Sequence, residues 1–319
     1  MLLLRRIRRA NLKRRQAMHD EMMIGQCIAK ATEELRKHHV ELPERTAAWL
    51  WQHASGMSVH DMVMHYGDIA QETVLNDFFH FIERRSRREP LQYIVMEAEF
   101  HGLSFYVDHR VLIPRPDTEV LVDEAIAEVL HLIKSQQRPV IVVDVGTGSG
   151  AIIVSLARAL QERKVAQDDV RLVATDIEQD ALVVASRNAI RHGVASWIEF
   201  FQGNFLMALP ESAVSIDLLI SNPPYIPEPD RLHLQPEVVR YEPASALFAG
   251  PDGLDAYREL VTQASVRMGQ YGSLLLETGF DQAKLVGELA KARWPLSKIT
   301  FAKDAQGIDR VVKVCLEVC

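Results

Sequence analysis

From residue 116 onward, short apolar runs alternate with stretches of helical periodicity, and this alternation limits the possible folds more than any other feature of the chain. A strand pattern followed repeatedly by a helix pattern predicts an α/β fold, with a mostly parallel sheet and helices on both faces. The predicted strands are 139–144, 170–175, 197–201, 216–220, 271–277, 297–302 and 310–317, and the predicted helices are 117–134, 150–163, 178–192, 253–269 and 281–293.

The chain is long enough for two domains, since its 319 residues exceed the usual size of one. Apolar residues recur at helical spacing over 24–90, which predicts a small helical-bundle domain. Aromatic and β-branched residues mixed with turn signals over 91–115 predict a β-hairpin linker. The α/β domain then occupies 116–319, and a basic N-terminal extension, 1–23, precedes the helices.

The first 18 residues differ from the rest of the chain because they hold seven basic residues and no acidic one. Such a start is typical of a surface helix, or of a gene start placed upstream of a true initiator at Met18, Met22 or Met23. An organellar transit peptide or a segment that contacts nucleic acid would have a similar composition. The segment lacks the apolar centre of a secretory signal, which argues against export.

Composition excludes several classes of protein. Apolar residues at 48% and charged residues at 25% are typical of a globular chain, and no apolar run approaches the ~20 residues that cross a bilayer. Cys27, Cys315 and Cys319 are too few and too scattered for a disulfide framework or a zinc site, which favours a reducing cytoplasm. His60 and His65 have no glutamate between them and lie five residues apart, so we expect no metal site.

A glycine-rich loop follows the first predicted strand of the α/β domain. The sequence VIVVDVGTGSGAI places Gly146, Gly148 and Gly150 between a strand and a helix, where glycine permits a positive φ or the close approach of a ligand. A dinucleotide loop has the spacing Gly-x-Gly-x-x-Gly, whereas this loop is Gly-x-Gly-x-Gly behind Asp144. The order resembles the first motif of S-adenosylmethionine-dependent methyltransferases. A purely structural glycine turn is the alternative.

Polar or aromatic residues also follow the next two predicted strands. Asp176 ends the strand RLVATD, where a carboxylate can accept hydrogen bonds from both ribose hydroxyls of an adenosine-type cofactor. Alternatively, it caps the helix that begins at Glu178. Asn204 and Phe205 follow the third strand, where methyltransferases commonly contact adenine. Phe205 either flanks that ring or is an ordinary core residue.

The tetrapeptide Asn222-Pro223-Pro224-Tyr225 follows another apolar strand, on the same predicted edge of the sheet. Two prolines fix the backbone and remove two N–H donors. The Asn222 side-chain oxygen and the Pro223 carbonyl can therefore accept hydrogen bonds from the NH2 group of an amide, while Tyr225 covers the substrate. Asn222 is neutral and is no general base, so positioning and the reactivity of a sulfonium methyl group would drive the transfer. A double-proline turn without function is the alternative.

Together with these motifs, the segments 99–125, 241–260 and 274–282 closely resemble the HemK/PrmC family, the peptide chain release factor glutamine N(5)-methyltransferases. The similarity runs from about Ile24 to the end of the chain. It implies a Rossmann-like methyltransferase domain, a helical substrate-recognition domain and S-adenosyl-L-methionine as cofactor. The implied substrate is the glutamine of the Gly-Gly-Gln loop in bacterial or organellar release factors, and the implied location is the cytoplasm.

The resemblance also implies roles at individual positions. Asn222, Pro223 and Tyr225 would be catalytic, and these three residues with Pro224 would bind the glutamine amide. Many members have Asp before the adenine-contacting aromatic residue, whereas this chain has Asn204. The implied cofactor-binding residues are Gly146, Thr147, Gly148, Ser149, Gly150, Asp176, Asn204, Phe205 and Asn222.

The choice of substrate stays open. The same chemistry on a glutamine of a large-subunit ribosomal protein is the nearest alternative, although the intact segment 115–119, RPDTE, favours the release factor. Methylation of adenine or guanine in nucleic acid is disfavoured because residues 91–319 carry 21 basic and 31 acidic side chains, against 15 and 12 in residues 1–90. A binding module without activity would have a damaged tetrapeptide.

Three glutamates near these motifs have structural explanations as well. Glu119, with Pro116, either caps the following helix or lines the pocket. Glu242 would have a structural role if it only shapes its loop. Glu277 would have one if it only accepts hydrogen bonds from backbone N–H groups at the end of its strand.

Overall fold

The computed structural model describes residues 22–210 and 215–316, which divide into two compact units between Val95 and Met96. Of the expected basic extension, residues 1–21 lie outside the described residues, as does Cys319. Met22 and Met23 belong to the helical unit, because the Ala70 N–H donates to the Met22 carbonyl at 2.9 Å and Met23 forms a β-bridge with Ile69. In the described ranges, no helix is long and apolar enough to cross a membrane.

The first unit is a helical bundle around one apolar core, as its periodicity predicts. Trp51 and Phe78 lie at the centre of the core, and their rings meet edge to face with centroids 5.1 Å apart. Its helices are α1 Ile24–Lys37, α2 Pro43–Ser55, α3 Val59–Met64, α4 Glu72–Ser86 and α5 Leu91–Val95.

Helix α5 corrects the expectation of a hairpin linker over 91–115. The Ile94 N–H donates to the Pro90 carbonyl at 3.2 Å, and Ile94 is buried in the helical core. Its apolar residues therefore serve helix packing, which their β-branched character did not indicate. The hairpin that does form is short and belongs to the second unit. Its antiparallel strands are β1 Ala98–Phe100 and β2 Leu103–Phe105.

The second unit contains a seven-stranded sheet with helices on both faces, which confirms the predicted fold class. The short helix α9 in the following list was not predicted. The strands are β3 Val140–Val145, β4 Val170–Asp176, β5 Ile198–Gln202, β6 Ile216–Ser221, β7 Met268–Glu277, β8 Lys298–Lys303 and β9 Asp309–Cys315. The helices are α6 Glu119–Ser135, α7 Ala151–Glu162, α8 Gln179–Arg191, α9 Pro236–Tyr241, α10 Asp255–Arg267 and α11 Ala283–Arg293.

The strand order is β5-β4-β3-β6-β7-β9-β8, with β3 to β7 parallel and β9 antiparallel to both of its neighbours. Strands β3 and β6 are buried along almost their whole length, and most of their residues are therefore apolar, with Asp144 in β3 and Asp217 and Ser221 in β6 as the polar exceptions. The direction of strand addition reverses between β3 and β6. In open α/β sheets, ligands bind beyond the carboxyl ends of the strands at such a reversal.

Candidate active site

Three sequence motifs meet at the carboxyl edge of the sheet because the strands that precede them pair in register. Val145, the last residue of β3, pairs with Thr175 of β4 on one side and with Ser221 of β6 on the other. The buried Ser221 hydroxyl also donates to the Val145 carbonyl at 2.7 Å. The residues that follow these three begin the glycine loop, provide Asp176, and begin the tetrapeptide. The glycine loop, Asp176 and the tetrapeptide therefore lie at neighbouring strand ends.

The glycine loop contains three residues in the left-handed region, with φ of +72° at Gly146, +54° at Gly148 and +79° at Gly150. A Cβ atom at either of the first two would meet no atom within 4 Å, whereas one at Gly150 would lie 3.1 Å from the Ala185 Cβ of α8. The first two glycines therefore keep the space beside the loop clear. The third allows the start of α7 to approach α8.

Four backbone N–H groups of this loop donate within the protein. Two donate to the Thr175 carbonyl, both at 2.9 Å, one to the Thr147 carbonyl at 2.8 Å, and one to Asp176 Oδ2 at 2.8 Å. A loop that cradles phosphate points such groups at its ligand. These four groups are therefore not available to a pyrophosphate. The four donors are Gly146, Thr147, Gly148 and Gly150.

Asp144 is a fully buried carboxyl group directly before the loop. Its Oδ2 accepts a hydrogen bond from the Thr147 hydroxyl at 2.7 Å, and its Oδ1 has no hydrogen-bond partner in the described part of the chain. Burial, with a smaller contribution from the negative charge of Asp176, raises the pKa of Asp144 to about 7. A cation bound nearby would favour the ionised form.

Asp176 supports both the glycine loop and the entrance to α8. Its Oδ2 accepts from the Gly148 N–H at 2.8 Å, and its Oδ1 accepts from the Glu178 N–H at 3.0 Å. Asp176 thus orders the residue at the entrance to α8, although the N-cap residue of that helix is Glu178 and not Asp176. Because each carboxylate oxygen has two lone pairs, it can still accept a hydrogen bond from a ligand hydroxyl. Burial raises the pKa of Asp176.

Phe205 begins a short 3-10 turn after β5 and has a left-handed φ of +49°. The turn is fixed by the Gln263 side chain, whose Oε1 accepts from the N–H groups of Leu206 and Met207 at 2.9 and 3.1 Å. Phe205 packs half-buried against the sheet core, and Asn204 is exposed. A partly accessible ring is compatible with both interpretations of Phe205.

The tetrapeptide is held at both of its ends. At the first, Asn222 Nδ2 donates to Thr118 Oγ1 at 3.2 Å. At the last, the Tyr225 carbonyl accepts from Gln282 Nε2 at 2.9 Å, and the Tyr225 ring packs against the sheet core. Burial, with the nearby Glu277 carboxylate, raises the pKa of Tyr225 to about 12, so its phenol stays neutral at physiological pH.

The three glutamates near the motifs have distinct surroundings. Glu242 shapes its loop, because its buried carboxylate pairs with Arg115 at 2.6 Å and accepts from the Ile113 N–H at 3.3 Å. Glu119 is the acidic residue in the first turn of α6, as expected at the positive end of a helix, and its Oε1 also accepts from the His101 N–H at 2.9 Å. For Glu277 the expectation of backbone N–H bonds is not met in the described residues: burial raises the pKa of its carboxyl group, and the groups that lower it include the Thr118 and Asn222 side chains and no backbone N–H.

Sequence reasoning missed Asn188, a buried residue of α8 that joins the glycine loop to the segment after the hairpin. Its Nδ2 donates to the Ser149 carbonyl at 2.8 Å and to the Tyr106 carbonyl at 3.0 Å, while its Oδ1 accepts from the Tyr106 N–H at 2.8 Å. The side chain thus pairs with Tyr106 as a neighbouring strand would. An asparagine within a helix gives no sequence signal of such a contact.

Replacing Asn188 with alanine is expected to lower the free energy of unfolding by about 3 kcal/mol, because three backbone groups lose their partner. Asn188→Asp is expected to be at least as destabilising at pH 8, since its carboxylate would face two carbonyl oxygens. Urea denaturation measures both changes. The control is Asn76→Ala at an exposed position of α4, and equal stability of the Asn188 and Asn76 variants would contradict the role assigned to Asn188.

Comparison with known proteins agrees with this geometry. A model of the PrmC N-terminal domain matches residues 26–95, and a model of a methyltransferase domain matches residues 137–251. A release factor glutamine methyltransferase of Geobacter sulfurreducens is 38% identical over 87% of this chain and 91% of its own length. One from Moorella thermoacetica is 38% identical over 91% of this chain and 97% of its own.

Among solved structures, the release factor-specific protein-(glutamine-N5) methyltransferase of Alicyclobacillus acidocaldarius is 29% identical. The match covers 65% of this chain and 95% of that one, with a TM-score of 0.37.

The sheet order, the glycine loop at the strand reversal and the methyltransferase-domain match define a Rossmann-like methyltransferase. More narrowly, the chain belongs to the release factor glutamine methyltransferase family, since it shares more than a third of its residues with members over nearly their whole length.

Proposed function

We propose that this enzyme transfers a methyl group from S-adenosyl-L-methionine to the side-chain amide nitrogen of the glutamine in the Gly-Gly-Gln motif of peptide chain release factors. The observation that carries the proposal is the in-register pairing of Val145 with Ser221. It sets a tetrapeptide suited to an amide beside a loop suited to an adenosine cofactor without phosphates. Family membership supports the choice of glutamine and of release factors.

The cofactor would supply an electrophilic methyl group on a sulfonium centre. The residues present fit such a ligand: the space beside Gly146 and Gly148 is open, four of the five loop N–H groups are engaged within the protein, and Asp144 Oδ1 is a buried acceptor that favours a cation nearby. We assign cofactor binding to Gly146, Thr147, Gly148, Ser149, Gly150, Asp176, Asn204, Phe205 and Asn222.

The tetrapeptide would bind and orient the substrate amide. An amide nitrogen is a poor nucleophile because its lone pair is delocalised into the carbonyl group. Asn222 Oδ1 and the Pro223 carbonyl would each accept one of its two hydrogens, which orients the nitrogen and favours the pyramidal transition state. Pro224 fixes the backbone and Tyr225 covers the amide plane. The proton leaves with or after methyl transfer, since neutral Asn222 cannot act as a base.

Release factors would be the protein partner, in the cytoplasm, with neither a membrane nor a nucleic acid as direct substrate. The excess of acidic over basic side chains in residues 91–319, 31 against 21, supports this choice because it opposes binding to a phosphate backbone. Residues 1–90 carry no catalytic motif. We therefore propose residues 24–90 as the substrate-recognition part of the chain.

The test is to incubate the protein with radiolabelled S-adenosyl-L-methionine and, in separate reactions, a release factor, a large-subunit ribosomal protein with a candidate glutamine, and DNA. We expect label on the release factor, and its loss when the Gly-Gly-Gln glutamine is replaced by alanine. Label on the ribosomal protein or on DNA, with none on the release factor, would refute the assignment.

A further inference from the structure

The side chain of Asn222 has two chemically different ends, and only one of them serves the proposed function. The oxygen can accept a hydrogen from the substrate amide, whereas the NH2 group cannot. Rotating the amide by half a turn exchanges the two ends at little steric cost. An enzyme that relies on Asn222 Oδ1 therefore needs a partner that selects one orientation.

Thr118 contacts Asn222 but does not by itself select the orientation. Asn222 Nδ2 donates to Thr118 Oγ1 at 3.2 Å, and Thr118 is buried. A threonine hydroxyl, however, can either donate or accept. It is restricted to accepting from Asn222 when another group takes its single proton.

Glu277 is placed to be that group. Ser221 of β6 pairs with Leu276 of β7, so the next residues, Asn222 and Glu277, lie side by side at the ends of adjacent parallel strands. Glu277 is 1% exposed, and the Thr118 and Asn222 side chains lie near enough to its carboxyl group to oppose the rise in its pKa that burial causes. In the described ranges its Oε2 has no partner at hydrogen-bond geometry. The carboxylate thus retains acceptor capacity for both neighbours.

Charged and titratable groups from every neighbouring element act on Glu277. Arg310 of β9 favours its ionised form, and Asp117 of a second 3-10 turn, Pro116–Thr118, opposes it. Besides burial, the negative charge of Glu277 raises the pKa of Tyr225, which follows β6, and of Tyr257 in α10. The Tyr257 hydroxyl also donates to the Glu277 backbone carbonyl at 2.7 Å. Burial is the largest influence and raises the pKa of Glu277 to about 7.

We infer that Glu277 is a positioning residue for the proposed amide methylation: its carboxylate accepts the Thr118 hydroxyl proton and faces the Asn222 NH2 group, and so fixes the Asn222 side chain with Oδ1 toward the substrate. A carboxylate only accepts, and it forces the same orientation through both neighbours. A protonated Glu277 can donate to Asn222 Oδ1, so it no longer favours one orientation of the Asn222 side chain. The expected effect on methylation rests on the proposed function. The orientation of the Asn222 side chain, in contrast, can be measured in the protein without any ligand.

The activity arm compares wild type with Glu277→Gln, Thr118→Val and Thr118→Ser, using a release factor as substrate. We expect kcat of the wild type to rise with pH around pH 7. Thr118→Val should lower kcat about 10-fold or more with KM for the release factor within twofold, and Thr118→Ser should restore it. Glu277→Gln should lower kcat at pH 8 and abolish the pH dependence. The double variant Glu277→Gln/Thr118→Val should be no slower than the worse single variant.

The second arm follows the Asn222 side-chain amide by nitrogen–proton NMR in the ligand-free protein, with its signal assigned by loss in Asn222→Ala. We expect a shift with a midpoint near pH 7 in wild type and none in Glu277→Gln. An Asn222 signal that does not change between pH 6 and 8, or that titrates equally in Glu277→Gln, would overturn the inference. So would full activity of both Thr118→Val and Glu277→Gln.

The two arms separate failure of this inference from failure of the proposed function. A wild-type enzyme that does not methylate the release factor contradicts the function, while the NMR titration still decides the orientation of Asn222. An active wild type with a pH-independent Asn222 signal contradicts the inference alone.

Discussion

Replacing Asn222 with alanine is expected to abolish methyl transfer, with a loss of about 1,000-fold or more in kcat. The variant loses the side-chain acceptor that orients the amide nitrogen and keeps only the Pro223 carbonyl. Because the glycine loop and Asp176 are unchanged, the dissociation constant for S-adenosyl-L-methionine should rise only a few-fold. Single-turnover assays with labelled cofactor measure the first quantity, and calorimetric titration measures the second.

Two comparisons make this result specific to the site. Asn76→Ala removes the same side chain from an exposed position of α4 and should retain full activity. Asn222→Asp keeps an acceptor oxygen but places a second carboxylate beside the buried Glu277, so it should also be strongly impaired. Full activity of Asn222→Ala would refute the role proposed for Asn222.

The stability of the ligand-free protein is expected to fall as the pH rises from 5 to 8. Burial raises the pKa of Asp144 and of Glu277 to about 7, from ordinary values of 3.8 and 4.5. Such groups bind more protons in the folded than in the unfolded state, so their stabilisation is complete below the unfolded pKa and is lost as the pH passes 7. The expected loss is about 3 kcal/mol for each group.

Urea denaturation at several pH values tests this expectation. Asp144→Asn should be more stable than wild type at pH 8 and should show a smaller loss between pH 5 and 8. Asp168→Asn, at an exposed position, should follow the wild-type profile. A stability that rises between pH 5 and 8, or an Asp144→Asn profile identical to that of wild type, would contradict the expectation.

Much of the α/β unit could be predicted because its strands are buried on both faces. A strand such as β3 is apolar except for Asp144, and glycines mark the turn that follows it. Helix α5 could not be distinguished from a strand, since a segment of five residues, four of them apolar, is too short to reveal a helical period. Helix α9 has six residues with no buried face, and so has no apolar period.

The motifs of the site could be predicted because each follows a strand directly. The contacts that support them could not, because they join residues distant in sequence. Asn188 meets Tyr106 across 82 positions, and Glu242 meets Ile113 across 129. Nothing local indicates that Glu277 lies beside Asn222, since that follows from the register of β6 with β7. The roles proposed for the motif residues stay predictions for the experiments above.

The four engaged N–H groups of the glycine loop have a consequence for selectivity among metabolites. ATP and NAD share the adenosine part of the proposed cofactor, but their phosphates could not use the four donors that this loop directs to Thr175, Thr147 and Asp176. Three of those four hydrogen bonds are between backbone atoms. Discrimination against ATP and NAD would then depend on the backbone conformation of the loop. A single side-chain substitution elsewhere in the pocket would not change that conformation.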